Sequence, residues 1–462
     1  MDLRARKLAR YFKFHTRAAL EAEVQRLRLD LRFTDDLAPL FQPVDVGAFR
    51  VGNSLCIQPM EGCDGTLDGS PDELTFRRYR RFGGGGAKLI WGEAAAVVEE
   101  GRANPRQLWL NEQTAPEFER LLRECRDAHR ETMGRDDDLL VGLQLTHSGR
   151  YSYRKRLIAF HDPILEPKTV GSDYPLLGDD YLARLPDSYA AAAKLAQSIG
   201  FQFVDVKQCH RYLLSELLAA RSRPGRYGGS LENRTRLARE IITRIRSEAP
   251  GLMIATRLNV YDGVPPASSG VLNSASLVWG SDIDNPLIPN LEEPLAWVGE
   301  MEKLGVVLVN ISMGNPYAVP HVLRPFEVPP PDGYETPEHP LIGVDRHFRL
   351  AEQMQRAFRN LPMVGSGYSY LQEYLFQAGA ANVRDGRIRF VGVGRAALAQ
   401  PDFARQLEQT GRLDRKRICR TFSYCTALMR SKHNELGQFA TGCPPFDKEG
   451  YAQIWEQARK KT

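Results

Sequence analysis

The sequence predicts an α/β protein built as a (β/α)8 barrel of the TIM type, with an N-terminal helical extension, long βα loops and a short helical C-terminal tail. Three observations lead there. About eight short apolar runs recur along 462 residues, each followed by a loop and a helical pattern. The runs are continuously apolar rather than alternating, which is the pattern of a strand covered on both faces. The last two runs end in glycine, "VGSGYS" at 364–369 and "VGVGR" at 391–395, where such barrels often bind a phosphate. A doubly wound open sheet is the alternative. It normally carries G-x-G-x-x-G between its first strand and helix, and that fingerprint is absent. "GGGG" at 83–86 follows a helix and precedes a strand, the wrong order, and reads as a tight turn.

The elements follow in order. The start, "MDLRARKLARYFKFHTRAALEAEVQRLRL", is basic and helix-prone, so residues 1–45 are expected to form a helical extension packed on the body. A transit peptide is the competing reading, opposed by Asp2, Glu21, Glu23 and the lack of a Ser-rich stretch. The barrel is expected over 46–412. "SLCIQPM" (54–60) is its first strand, with a helix over 73–83; "AKLIWGEAAAV" (87–97) is the second, with a helix from about Pro116 to Arg130, where proline suits the first helical turn. "LLVGLQLTHSG" (139–149) leads to a helix over 187–200, and "FQFVDVKQ" leads into "YLLSELLAA" and "LENRTRLAREIITRIRSEA". "LMIATRLNV", "VVLVNISMG", "LPMVGSG" and "RFVGVGR" complete the set. Excursions at about 151–186, 262–293 and 322–340 follow strands three, five and six, on the face where barrels keep their chemistry. The rest, 413–462, is expected to be a helical tail packed on the barrel, ending before any further domain.

Composition narrows the function. A net charge of +5, from 62 basic and 57 acidic residues, is mild and evenly spread. With no basic run interleaved with aromatics and no zinc-finger spacing, nucleic acid is not an expected partner. Seven scattered cysteines, an odd number, argue against a secreted disulfide framework and for a reducing cytoplasm. No stretch approaches the roughly 20 apolar residues of a membrane helix.

A barrel gathers its strand ends on one rim, and here they carry chemistry: Pro59, Met60 and Glu61; Gly92, Glu93 and Ala94; Gln144 and His147; Lys207, His210 and Tyr212; Arg257; Asn310, Ser312 and Gly314; Ser366 and Gly367; Gly394 and Arg395. The glycines at 367 and 394, with the charged fork of Arg395, suit an anion held by backbone amides and a guanidinium. "VDVKQCHRYLLSELL" (204–218) places an ammonium, an imidazole and a phenol where a buried strand gives way to a loop.

The motifs "PMEGCDG", "GGAKLIWGEAAAV", "LQLTHSGR", "YGGSLENRTR", "RLN" and "VGVGR" together resemble the old yellow enzyme family of FMN-dependent ene-reductases, from about residue 45 to 412. "YGGSLENRTR" also reads locally as a helix start, with Ser230 as N-cap and Asn233 three residues on. The resemblance implies FMN as cofactor and NADH or NADPH as electron donor. It implies Pro59, Met60 and Ala94 against the flavin ring, Gln144 on its pyrimidine edge and Arg257 near N1 and O2. Gly367, Gly394 and Arg395 would hold the phosphate. Glu61 stands where relatives often keep a Thr or Cys that tunes the flavin, a departure. The family has His-x-x-His or His-x-x-Asn after strand four, gripping the substrate carbonyl, with a Tyr two residues later that protonates carbon. Here the pair is Lys207-x-x-His210 and the acid Tyr212.

Lys207 could instead neutralise Asp205 two positions earlier on the same strand face, or form a Schiff base with a ketone. His210 could be a structural histidine at a strand end, and Tyr212 a core aromatic. "ICRTFSYCTALMR…TGC" resembles a residual iron–sulfur motif in which Phe422 replaces a ligand, so Cys419, Cys425 and Cys443 are expected to be reduced thiols, and no metal site is expected. The expected activity is reduction of the C=C bond of an α,β-unsaturated carbonyl compound, a small-molecule substrate with an activated alkene. A same-fold dehydrogenase or demethylase running oxidatively, and a flavin-free barrel acting as scaffold, are the alternatives. Monomer and homo-oligomer are both open.

Overall fold

The computed structural model describes residues 11–162, 164–166, 170–171, 173–266 and 278–460. The start of the N-terminal extension and the middle of the loop after strand five lie outside the described residues. Eight parallel strands close into a barrel: Leu55–Ile57, Leu89–Ala96, Leu140–Thr146, Phe203–Val206, Met253–Tyr261, Val306–Met313, Met363–Gly365 and Phe390–Val393, the eighth pairing with the first through Val391 and Leu55. Every one of these strands was legible as an apolar run, because both faces are covered.

The inside of the barrel is a packed core, not a channel. Cys56, Leu89, Trp91, Leu140, Phe203, Ala255, Leu308, Val364 and Phe390 fill its lower half. An antiparallel hairpin, Val44–Val46 with Phe49–Val51, closes that end with Val46 and Val51. The interior is tight enough that a Cβ on Gly142 would stand 2.3 Å from the Phe203 ring. A second, larger core joins the outer strand faces to the helices. With the lower half filled, chemistry is confined to the C-terminal rim.

Helices begin where capping chemistry places them. Asp72 caps Glu73–Gly83 in a capping box with Thr75, and the Ser230 hydroxyl accepts from Asn233 N at 3.3 Å at the start of Leu231–Glu248. One expectation is corrected. The helix expected from 187 starts at Asp179 and runs through Pro186 to Ile199. The missing N–H costs a hydrogen bond in mid-helix, and Leu182, Leu185 and Tyr189, all buried on one face, hold the helix through it.

The glycine run does turn the chain, at 84–85. Only Gly86 has positive φ, at 87°. Gly83 and Gly85 are there for close backbone approach: a Cβ would stand 2.0 Å from Cys125 O and 2.1 Å from Pro401 O, respectively. We expect Gly83→Ala to lower stability by about 1–3 kcal/mol, the range for overpacking a tight contact, read as a lower urea midpoint at unchanged slope.

The N-terminal helix Arg17–Arg26 packs Leu20 and Val24 inward. Past the barrel, helix Tyr424–Arg430 folds back over the rim, and helix Lys448–Arg459 packs Tyr451 and Ala458 into a small core with Leu74, Leu428 and Phe439. They are anchored by Asp447, which binds both Arg77 (2.8 Å) and Arg81, and by Arg417 on Asp402 at 2.7 Å. Phe422 stands edge-on to Tyr11 at 6.3 Å. No helix among the described residues is long and apolar enough to cross a membrane.

Candidate active site

The twelve residues assigned to catalysis and cofactor binding from the sequence all line one cavity at the C-terminal rim. Barrel closure explains this, since strand ends far apart in the chain become neighbours around one circle. Of the other strand-end residues, Glu93 is turned away into a buried ion pair with Arg78, and His147 bonds Tyr181 at 2.8 Å. Asn310 donates to Gln58 Oε1 at 2.8 Å, in the floor of the cavity.

Asp205 organises that floor. Its carboxylate accepts from Trp91 Nε1 (2.7 Å), Gln144 Nε2 (2.6 Å) and Arg257 N (2.7 Å). Burial raises its pKa to about 6, against the pull of these donors. Lys207 forms no direct ion pair with Asp205 among the described residues, and the carboxylate acts on it only at a distance, less than Cys209 and Glu61 do. With Gln144 Nε2 committed to Asp205, its carbonyl oxygen is the end left for a ligand.

Lys207 is buried, and its ammonium lies 3.7 Å from the centre of the Tyr212 ring, a cation–π contact. Burial pushes its pKa down, partly offset by Cys209 and Glu61. Glu61, in turn, is pushed up by burial, while Lys207 and a hydrogen bond from Asn104 favour its charged form. His210 bonds Ser312 Oγ through Nε2 at 2.9 Å, and burial among Arg257 and Lys207 keeps its ring neutral. The Tyr212 hydroxyl is 3.5 Å from that of Tyr317, and burial holds its proton firmly.

The turn carrying these groups is strained. His210 and Arg211 are consecutive non-glycine residues at φ of 65° and 61°, a conformation that costs of order 1–3 kcal/mol each. Asn315 Nδ2 donates to His210 O at 2.9 Å, and Arg211 N donates to Ser215 Oγ at 3.1 Å. The Arg211 guanidinium is buried between Asp162 and Asp262, the latter at 3.1 Å. Arg211 thereby ties the turn to the loops after strands three and five.

Arginines the sequence reading passed over complete the wall. Arg324, after the short helix Pro320–Leu323, and Arg430, in the C-terminal segment, both face the cavity. Nothing local distinguishes them from surface arginines; only the fold brings them to the rim. Arg257 Nε and Arg395 Nη1 are buried without hydrogen-bond partners, as expected of donors awaiting an anionic or carbonyl ligand.

Residues 39–290, a little over half of the chain, match the NADH:flavin oxidoreductase / NADH oxidase family. The chain belongs to the old yellow enzyme family. It is 25% identical over 389 residues to a NADH:flavin oxidoreductase of Gibberella zeae, spanning 77% of this chain and 83% of that one. It is 26% identical over 381 residues to a NADPH dehydrogenase of Bacillus subtilis, spanning 79% and 93%. Among solved structures, a 2-naphthoyl-CoA reductase in complex with 2-naphthoyl-CoA superposes with a TM-score of 0.65 at 18% identity, spanning 91% of this chain but only 58% of that one. The old yellow enzyme homologue from Zymomonas mobilis superposes at 0.59 with 20% identity, spanning 82% and 94%. These structures share the fold. The cofactor of this old yellow enzyme is FMN and its electron donor NADH or NADPH, and the unpartnered donors of Arg257 and Arg395 fit a flavin and its phosphate.

Proposed function

We propose that this chain reduces the C=C bond of an α,β-unsaturated carbonyl compound. The observation that carries the reading is the convergence of an ammonium, a neutral imidazole and a protonated phenol on one cavity with the flavin-binding set. Arg395 with Gly367 and Gly394 would hold the FMN phosphate, Arg257 and Gln144 would hold the polar edge of the flavin, and Pro59, Met60 and Ala94 would provide the apolar wall. When bound, FMN supplies the hydride, taken from NADH or NADPH and delivered to the β-carbon.

The chain's own residues do the rest. Lys207 and His210 donate to the substrate carbonyl oxygen, where negative charge builds during reduction; donors fixed in place stabilise that charge without reorganising. A neutral imidazole has one N–H. For His210 to donate through Nδ1, the Ser312 hydroxyl must donate to Nε2, so Ser312 sets the tautomer. Tyr212 delivers the proton to the α-carbon, and Tyr317, 3.5 Å away, lies on the route by which it is recharged.

The test is anaerobic. Purified protein is expected to be yellow, to bleach with NADH or NADPH, and to regain colour with cyclohex-2-enone. Lys207→Met should slow the reoxidation by about 10²–10³-fold, the usual loss for one oxyanion donor. Burial lowers the Lys207 pKa below the ordinary lysine value of 10.5, so the ammonium is lost at a lower pH than that of a free lysine. Activity should therefore fall at a pH below that value, a limb the Lys207→Met variant lacks. A protein that takes up no FMN would instead favour the scaffold reading.

A further inference from the structure

The cavity carries more positive charge than its cofactor accounts for. Five cations line it, Lys207, Arg257, Arg324, Arg395 and Arg430, against two carboxyl groups, Glu61 in the wall and Asp205 beneath the floor. FMN brings a phosphate of about two negative charges at neutral pH and one more when its ring is reduced. With both carboxylates ionised, one cation is left unmatched in the oxidised enzyme and none in the reduced.

Two of the five belong to neither the cofactor set nor the catalytic set. Arg324 has Nε and Nη2 buried with no hydrogen-bond partner and forms no ion pair among the described residues. Such a guanidinium is costly to keep unless a ligand takes it up. Arg430 lies flat on Tyr317 at 4.1 Å and donates from Nη2 to Pro316 O at 3.0 Å. Its Nε is 3.4 Å from Asp332, which at 51% exposure is a solvent-screened counter-charge outside the cavity wall. Tyr317 in turn reaches the Tyr212 hydroxyl, so Arg430 stands one ring away from the proton donor.

We infer that the substrate carries, besides its activated alkene, an anionic oxygen-acid group such as a carboxylate, received by Arg324 and Arg430. This rests on the ene-reductase reading and gives its substrate class. The C-terminal segment then sets specificity, since it alone supplies Arg430.

The experiment compares 4-(3-oxobut-1-enyl)benzoate with its methyl ester, two enones differing in charge far from the alkene. The wild type should prefer the acid by more than tenfold in kcat/KM, mainly through KM. The preference should collapse toward one in Arg430→Met and in Arg324→Met, with part of it kept in Arg430→Lys. FMN and riboflavin affinities of the apoprotein are measured in parallel. Equal loss of neither or both in Arg324→Met keeps that guanidinium for the substrate; selective loss of FMN over riboflavin puts it on the cofactor phosphate and overturns the assignment. A wild type that favours the ester also overturns it. Failure of the wild type to bind FMN at all would refute the underlying reading instead, and is seen before any substrate is added.

Discussion

Tyr212→Phe is expected to lower the rate of alkene reduction by about 10²–10⁴-fold, the range for removing a positioned general acid, while flavin reduction by NADH or NADPH proceeds. The split follows from geometry. Tyr212 immediately precedes the helix Leu213–Leu218 and faces the cavity, with Lys207 on its ring and Tyr317 at its hydroxyl. Removing the hydroxyl deletes the proton and leaves the ring, so the ammonium keeps its cation–π support. Stopped-flow absorbance separates the two half-reactions. Equal slowing of both would show that Tyr212 shapes the pocket rather than delivering a proton.

The second large effect is on stability. Arg211→Ala should destabilise the protein by about 3–5 kcal/mol, because Asp162 and Asp262 are left as buried carboxylates without their cation. Chemical denaturation reads this directly. Arg211→Gly should do less harm, since it relieves the left-handed φ of 61° while losing the same ion pairs. Adding Asp162→Asn and Asp262→Asn to Arg211→Ala should recover part of the loss. If all three variants match the wild type, the ion pairs do not hold the turn.

The barrel was readable from the chain because its strands are buried on both faces and so spell continuous apolar runs. The helix from Asp179 runs through Pro186, a residue that disfavours helix interiors locally, because Leu182, Leu185 and Tyr189 pack on one face, and that packing is a tertiary fact. The tight turn expected at 83–86 forms, but positive φ explains only Gly86, whereas Gly83 and Gly85 answer to neighbours remote in sequence.

The site divides in the same way. The positions of Lys207, His210, Tyr212, Arg257 and Arg395 follow from the sequence alone, since each stands at the end of an apolar run and closure of the barrel brings such ends together. Which partner each side chain takes was decided only in three dimensions. Asp205 binds Trp91, Gln144 and Arg257 rather than Lys207. Arg211 spans two loops, and Arg324 and Arg430 reach the cavity from segments with no pattern of their own. The physical reason is range: burial along a strand leaves a periodic record in the chain, whereas an ion pair between distant segments leaves none.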